Sequence, residues 1–393
     1  LLVVVTGGSK GIGRSCVESF AQRGARVLFT YCSDAAASQQ VEQSFQPVGR
    51  VQGRQLDQGD FDSVRSFAAE VDRWREGREI STVINNAALG SATVSAYGGI
   101  PSPPSSAEVT GEWSGAEDYD TARRRADEDI AMMRVNSLGP MWVTESLLPM
   151  MMPLKVGGAS DMSVGTENSA AATADGQEPA APAPVAGKSP VDEGLGRGGR
   201  APAFLSFLGT GKKRTVLFVG SVGGGSQSVF PGFRAADAMS KAAVAYACKY
   251  FAAQSRQQTS GKRSPAPAST APYPVAHDRP LHCGSSAAAE AATAKSDLNG
   301  ASGGVDFVCL CPGATLTDMF RRSTLDKMEA KGPGELERFL NALPQGRLMM
   351  PEEVGEAVYW LCSSPAATMF HGAVIDASAG LAVRPGVLTE YTF

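Results

Sequence analysis

At 393 residues with 43% apolar content, the chain is long enough to bury a sizeable core as one large domain or two ordinary ones. Its 36 Lys and Arg against 40 Asp and Glu leave a formal charge of -4, and no basic stripe interleaved with aromatics stands out, which excludes nucleic-acid binding. Seven cysteines without metal-ligand spacing read as small buried hydrophobes in a reducing intracellular compartment, and no apolar run approaches the ~18 residues of a membrane span, so a soluble protein is expected.

The chain opens on "LLVVVTGG" without an initiator Met, so its N-terminus is expected to be truncated and the organelle stays open. "LLVVV" is a short β-branched run and predicts a strand, followed by a glycine loop and a helix from Gly13 to Gly24. "ARVLFTY" predicts a second strand and "AAASQQVEQSF" a helix. "GRVQGRQLD" and "STVINNAA" continue as strands, with "FDSVRSFAAEVDRW" the helix between them. Two helices follow in "YDTARRRADEDIAMMRVN" and "SLGPMWVTESLLPMMM", then the strand "RTVLFVGS" and a long Ala-rich helix over residues 234 to 253. "VDFVCLCPG" is a strand, "PEEVGEAVYWLCS" a helix and "GAVIDA" the last strand. Strand and helix alternate throughout, which implies an α/β Rossmann-like doubly wound parallel sheet with helices on both faces.

Three segments break this order: residues 90 to 117, 154 to 212 and 256 to 303, all rich in Gly, Ser, Ala and Pro and without apolar periodicity. They are expected to be flexible insertions in a single domain over residues 1 to 393, because they lack the apolar surface that offsets the entropy of ordering. Without them roughly 260 residues remain, the size of one α/β domain. His277, His282 and Cys283 fall in the third insertion and carry no metal framework, so no metal site is expected.

"TGGSKGIGR", residues 6 to 14, lies between the first strand and its helix. Gly7, Gly11 and Gly13 allow a tight turn and a close approach of the backbone to a pyrophosphate at the helix N-terminus, where unpaired N–H groups and the dipole favour negative charge. The spacing T-G-x-x-x-G-x-G resembles the short-chain dehydrogenase/reductase family, and further motifs match in that family's order. They are "LDQGD" with Asp57, "NNAA" at 85 to 88, "VNSLGP" with Asn136, "FVGS" with Ser221, "MSKAA" with Lys241 and "PGATLT" at 312 to 317. The closing "GRLMMPEEVGEAVYWLCS" and "HGAVIDASAG" also resemble the family's last helix and strand.

The resemblance implies a nicotinamide dinucleotide held by Thr6, Gly7, Ser9, Lys10, Gly11, Ile12 and Gly13 in the loop and by Tyr31 and Ser33 after the second strand. It further implies contacts from Asp57 to adenine, from Asn86 and Ala87 after the fourth strand, from Lys241 to the ribose, and from Pro312, Gly313 and Thr317 to the nicotinamide amide. Two departures, Ala88 for a glycine and "DASAG" for Asp-Gly-Gly, add side chains where backbone approaches the cofactor or a neighbouring subunit. The second strand ends in Tyr31, Cys32 and Ser33 with no acid before Asp34, while Lys10 and Arg14 lie in the glycine loop. That local charge favours NADP(H) over NAD(H), since an acid there would repel a 2′-phosphate.

By resemblance Asn136, Ser221, a tyrosine and Lys241 would form the catalytic group, with Ser steadying the carbonyl oxygen, Tyr giving the proton, Lys lowering the Tyr pKa and Asn holding a relay water. The tyrosine belongs four residues before the lysine, and Asp237 stands there. A carboxyl beside a lysine is expected to be ionised and shorter in reach than a phenol, leaving Asp237 to form an i, i+4 ion pair with Lys241. Tyr246 and Tyr250 lie further down the same helix and read as core or interface packing. Two functions follow as expectations. The first is an NADP(H)-dependent carbonyl or hydroxyl oxidoreductase with weakened or non-standard proton donation. The second is a nucleotide-binding pseudoenzyme acting as scaffold or sensor subunit.

The partners implied are a small carbonyl or alcohol substrate and, through the Ala-rich helix at 235 to 253, a homo-oligomer or a larger assembly. The stretch from Thr317 to Pro344 would close over substrate, its Met319, Phe320 and Leu325 suiting an apolar ligand.

Overall fold

The computed structural model describes residues 1–45, 49–91, 93–99, 119–152, 213–225, 234–257 and 304–383. Seven strands, β1 (Leu2–Val5), β2 (Arg26–Tyr31), β3 (Val51–Gln55), β4 (Thr82–Asn85), β5 (Arg214–Val219), β6 (Val305–Pro312) and β7 (Val374–Ala377), form a sheet in the order β3-β2-β1-β4-β5-β6-β7. Every neighbouring pair is parallel, and each of the seven lies where the β-branched and apolar runs predict it.

The helices are α1 (Gly11–Gln22), α2 (Ala35–Gln43), α3 (Phe61–Arg75), α4 (Tyr119–Met133), α5 (Gly139–Met151), α6 (Ala235–Gln257), α7 (Asp326–Lys331), α8 (Glu335–Ala342) and α9 (Pro351–Ser363). They cover both faces because β1, β4, β5 and β6 are buried on both sides. In β1 the alternation is direct. Leu2 and Val4 face a core with Val143, Leu147 and Phe251, whereas Val3 and Val5 face one with Phe20, Val354 and Val358. Each such side chain stabilises the fold by about 1.5–3 kcal/mol when fully buried. On the second face α1 and α9 pack so closely that a Cβ at Gly355 would lie 2.9 Å from the backbone of Ser15.

The two helices expected around Asn136 are joined without a break. A π-helical turn, Arg134–Leu138, runs straight into α5, and Pro140 is tolerated because it falls in the first turn, where its missing N–H costs little. The stretch after Thr317 divides into one turn (Asp318–Phe320), a second π-turn (Arg321–Leu325), α7 and α8. Its Leu325, Met328 and Phe339 pack with Val222, Leu348 and Leu381 in a separate cluster.

The start of the first expected insertion has a defined form. Residues Val94–Gly99 make a 3-10 turn anchored by Val94, which is buried against Ala131, Met132 and Ala236. Residues 92 and 100 to 117 of that insertion, all of 154 to 212 and residues 258 to 303 lie outside the described residues, as do His277, His282 and Cys283. Of the described cysteines, 16, 248, 309, 311 and 362 are buried as expected, but Cys32 is exposed because it follows the last residue of β2. Among the described residues no helix is long and apolar enough to cross a membrane.

Candidate active site

The strand order reverses between β1 and β4, and the glycine loop leaves the carboxyl end of the first while Asn86 and Ala87 follow the second. Gly7 and Gly11 adopt φ values of +66° and +52°, which glycine takes without strain. A Cβ at Gly13 would lie 2.1 Å from the carbonyl oxygen of Gly7, so the loop has room for backbone alone. Lys10 is the N-cap of α1 and gives no side-chain cap, and the first turn holds no acid. The helix therefore presents its leading N–H groups to an anion without a side chain in competition. Ser9 and Ile12 flank it, both partly exposed.

The loop is fixed from three strands. Thr6 Oγ1 accepts the backbone N–H groups of Asn86 and Ala87 at 3.0 Å each, and Asn86 Nδ2 donates to the carbonyls of Thr6 and Gly7 at 3.1 Å each. Thr30 Oγ1 accepts the N–H of Gly7 at 3.1 Å. The Asn86 amide is thus committed to shaping the loop. Gln58, which the motif comparison passed over, donates to the carbonyls of Ala87 (2.8 Å) and Val135 (2.7 Å) and ties this end of β4 to the π-turn.

At the end of β2, Tyr31 is partly buried and Ser33 exposed. Asp34 accepts the N–H of Ala37 at 2.9 Å as the cap of α2 and pairs with Lys10 at 2.5 Å, which holds its carboxyl below the usual range. Arg14 pairs with Glu18 at 2.8 Å. Both basic groups of the loop have acid partners, so the charge contrast inferred from the sequence is smaller than expected. Asp57 follows β3, and its carboxylate already accepts the Tyr97 hydroxyl at 2.7 and 2.9 Å and the N–H of Gly59 at 2.9 Å. On the far side, a Cβ at Gly313 would lie 2.7 Å from the carbonyl oxygen of Ser378, and Thr317 Oγ1 caps the following turn through the N–H of Phe320 at 3.2 Å.

The catalytic candidates converge from three elements. Asn136 is 1% exposed in the π-turn; its Oδ1 accepts the N–H of Leu89 at 2.7 Å, and its Nδ2 donates to the Leu89 carbonyl at 2.8 Å and to Ser240 Oγ at 3.1 Å. Its amide therefore braces the loop after β4 against α6, one residue before Lys241. Ser221 follows β5, partly exposed, with its hydroxyl accepting the N–H of Gly223 at 3.2 Å. Arg234 fixes the start of α6 by gripping Glu128 and Asp129 at 2.5 Å each and the Arg125 carbonyl at 2.7 Å.

Asp237 departs from its sequence reading twice. It closes no ion pair with Lys241 within 4.0 Å. Its carboxyl is also pushed above the usual range, because burial outweighs the opposing influence of Lys241, the hydroxyl and N–H of Ser91, and Arg234. Lys241 is shifted down by burial, against the pull of Asp237, Cys309 and Cys311. Tyr246 and Tyr250 are exposed, at 72% and 50%, which rules out a core role for either. Over the crevice, Met319 Sδ would lie 2.8 Å from a Cβ at Gly90, next to Ser91. A cleft of about 590 Å³ beneath the same segment is lined by Leu316, Leu325, Leu336, Leu340, Leu348 and Met350, with Arg347 and Glu353 also on its wall.

A family model described as short chain dehydrogenase matches residues 1–164, the part that carries the glycine loop, Asp57, Asn86 and Asn136. This N-terminal part of the chain is thus similar to the short-chain dehydrogenase/reductase family. Mouse and human proteins named retinol dehydrogenase 11 are 35% and 36% identical to it over 91 residues, which is 22% of this chain and 28% of each relative's length. Among solved structures, an actinorhodin polyketide ketoreductase with NADPH superposes with a TM-score of 0.55 at 16% identity, covering 98% of this chain and 97% of that one. A Pseudomonas aeruginosa RhlG/NADP complex gives 0.55 at 16%, covering 97% and 96%, and a ligand-free Thermoplasma acidophilum aldohexose dehydrogenase gives 0.54 at 16%, covering 98% and 95%. At such identities the likeness is one of fold. Ser91 and Tyr97 had no sequence signal, since both lie in a low-complexity stretch that matches no motif.

Proposed function

We propose that the chain is an oxidoreductase that uses NADP(H) on a carbonyl or hydroxyl substrate, with Asp237 as its proton donor. The observation that carries this reading is the uncapped start of α1 behind a loop that admits no Cβ at Gly13. These residues fit a dinucleotide. Thr6, Gly7, Ser9, Lys10, Gly11, Ile12 and Gly13 would hold its pyrophosphate, Tyr31, Ser33 and Asp57 its adenosine half, and Asn86, Ala87, Lys241, Pro312, Gly313 and Thr317 its nicotinamide half. When bound, the cofactor supplies or takes the hydride.

The chain's own residues do the rest. Ser221 donates its hydroxyl proton as a hydrogen bond to the substrate oxygen, while its oxygen keeps accepting the N–H of Gly223. Asp237, whose burial keeps its proton to a higher pH than an exposed carboxyl, gives that proton to the developing alkoxide. A carboxyl is a stronger acid than a phenol and loses its proton sooner as pH rises, so turnover is slow near neutrality. NADP(H) is favoured because no acid stands at the end of β2 before Asp34, and because two fold neighbours carry NADPH or NADP.

We also propose that copies pair through α6, whose Met239, Tyr246 and Tyr250 are 59%, 72% and 50% exposed. Incubation with NADPH and a panel of ketones tests the central reading. Binding is expected for the native chain and for Asp237→Tyr, with slow reduction by the first and faster reduction by the second. Failure to bind either dinucleotide would overturn it, and binding without turnover by either form would make the chain a sensor or scaffold.

A further inference from the structure

Asp57 is the group assigned above to adenine, yet its carboxylate is not open. The Tyr97 hydroxyl sits 2.7 Å from Oδ1 and 2.9 Å from Oδ2, in the bay between the two oxygens where an amino group would be received. Gly59 N–H takes another position on Oδ1 at 2.9 Å, and a Cβ at Gly59 would lie 2.5 Å from the same hydroxyl. Burial, the hydrogen bond to Asp57 and its negative charge all push the Tyr97 phenol up, so it stays a donor. Tyr97 is delivered there by the turn Val94–Gly99, whose Val94 packs on Ala131 and Met132 of α4 and on Ala236 of α6, the residue before Asp237.

We propose that Tyr97 is a competitor built into the adenine end of the dinucleotide site: it holds Asp57 until the adenine amino group displaces it. The proposal rests on the placement of adenine at Asp57 under the preceding heading. The hydroxyl and an incoming amino group are both donors, and only one of them fits the bay of a single carboxylate. Binding therefore exchanges one hydrogen bond for another, and affinity is lower than the site would otherwise give. Because the same turn leans on Ala236, its displacement also reaches the first turn of the helix that carries Asp237 and Lys241.

The test is equilibrium binding, read from nicotinamide fluorescence rather than turnover. NADPH and its deamino analogue, which has an oxo group in place of the adenine amino group, are titrated into the native chain, Tyr97→Phe, Asp57→Asn and the double variant. Tyr97→Phe keeps the ring and removes only the competing hydroxyl, so it is expected to tighten NADPH by about three- to tenfold, the range of one net hydrogen bond. The deamino analogue is expected to show no such gain, and the gain is expected to vanish in the Asp57→Asn background. Unchanged or weaker NADPH binding by Tyr97→Phe would overturn the proposal. If NADPH binds but Asp57→Asn leaves its affinity intact, adenine lies elsewhere and the competitor role falls with that placement. If no form binds NADPH, the dinucleotide reading itself has failed, an outcome visible in the native chain alone.

Discussion

Asp237 and Asp34 show how one residue type takes opposite character from its surroundings. Asp34 is largely exposed and shares its carboxyl with Lys10 and the first turn of α2, which favours the charged form. Asp237 is partly buried, and that burial favours the neutral form. Asp34→Asn keeps a good helix cap and releases Lys10, so NADPH is expected to bind several-fold more tightly while NADH is unchanged, as measured by fluorescence titration. An equal gain for both dinucleotides would show that Lys10 does not face a 2′-phosphate. At this scale the sequence was legible where spacing carries backbone geometry: Gly7 and Gly11 take the positive φ values that the glycine loop calls for. At Asp237 the four-residue spacing suggested an ion pair with Lys241 that the structure does not close within 4.0 Å, because spacing along a helix does not fix where two side chains turn. Tyr97 and Ser91 left no trace, since a donor in a Gly/Ser-rich stretch looks like solvent-facing loop until its partner is known.

Elements were easier to read than their joints. The strands β1, β4, β5 and β6 are buried on both faces and read as apolar runs, whereas the edge strands β3 and β7 are only partly buried. The join of α4 to α5 was misread as a break, because a π-turn changes hydrogen bonding without a punctuating residue of its own. The stretch from Thr317 to Pro344 is divided, because Gly332 and Gly334, at φ values of +130° and +88°, separate α7 from α8. The packing of α1 on α9 offers a direct test of how tightly the layers are set. Gly355→Leu places its Cβ 2.9 Å from the Ser15 backbone, which cannot swing aside as a side chain would. It is expected to lower unfolding free energy by about 1–3 kcal/mol in urea denaturation, and an unchanged midpoint would mean that the two helices separate readily.

For the whole molecule, the proposed pairing of copies rests on Met239, Tyr246 and Tyr250 of α6, which are exposed. Tyr246→Glu is expected to shift the sedimentation of the chain toward monomer without changing its NADPH affinity. Sedimentation that does not change would remove α6 as the contact. The account as a whole turns on a buried carboxyl doing the work of a phenol. The most direct measurement is the rate of NADPH-driven ketone reduction from mildly acidic to neutral pH, for the native chain and Asp237→Asn. Because burial raises the Asp237 pKa, the donor form is present below that raised value and is lost as pH rises through it. The native rate should therefore fall as pH rises, and Asp237→Asn should be nearly inactive at every pH. A native rate that rises with pH, or one that Asp237→Asn leaves intact, would contradict the account.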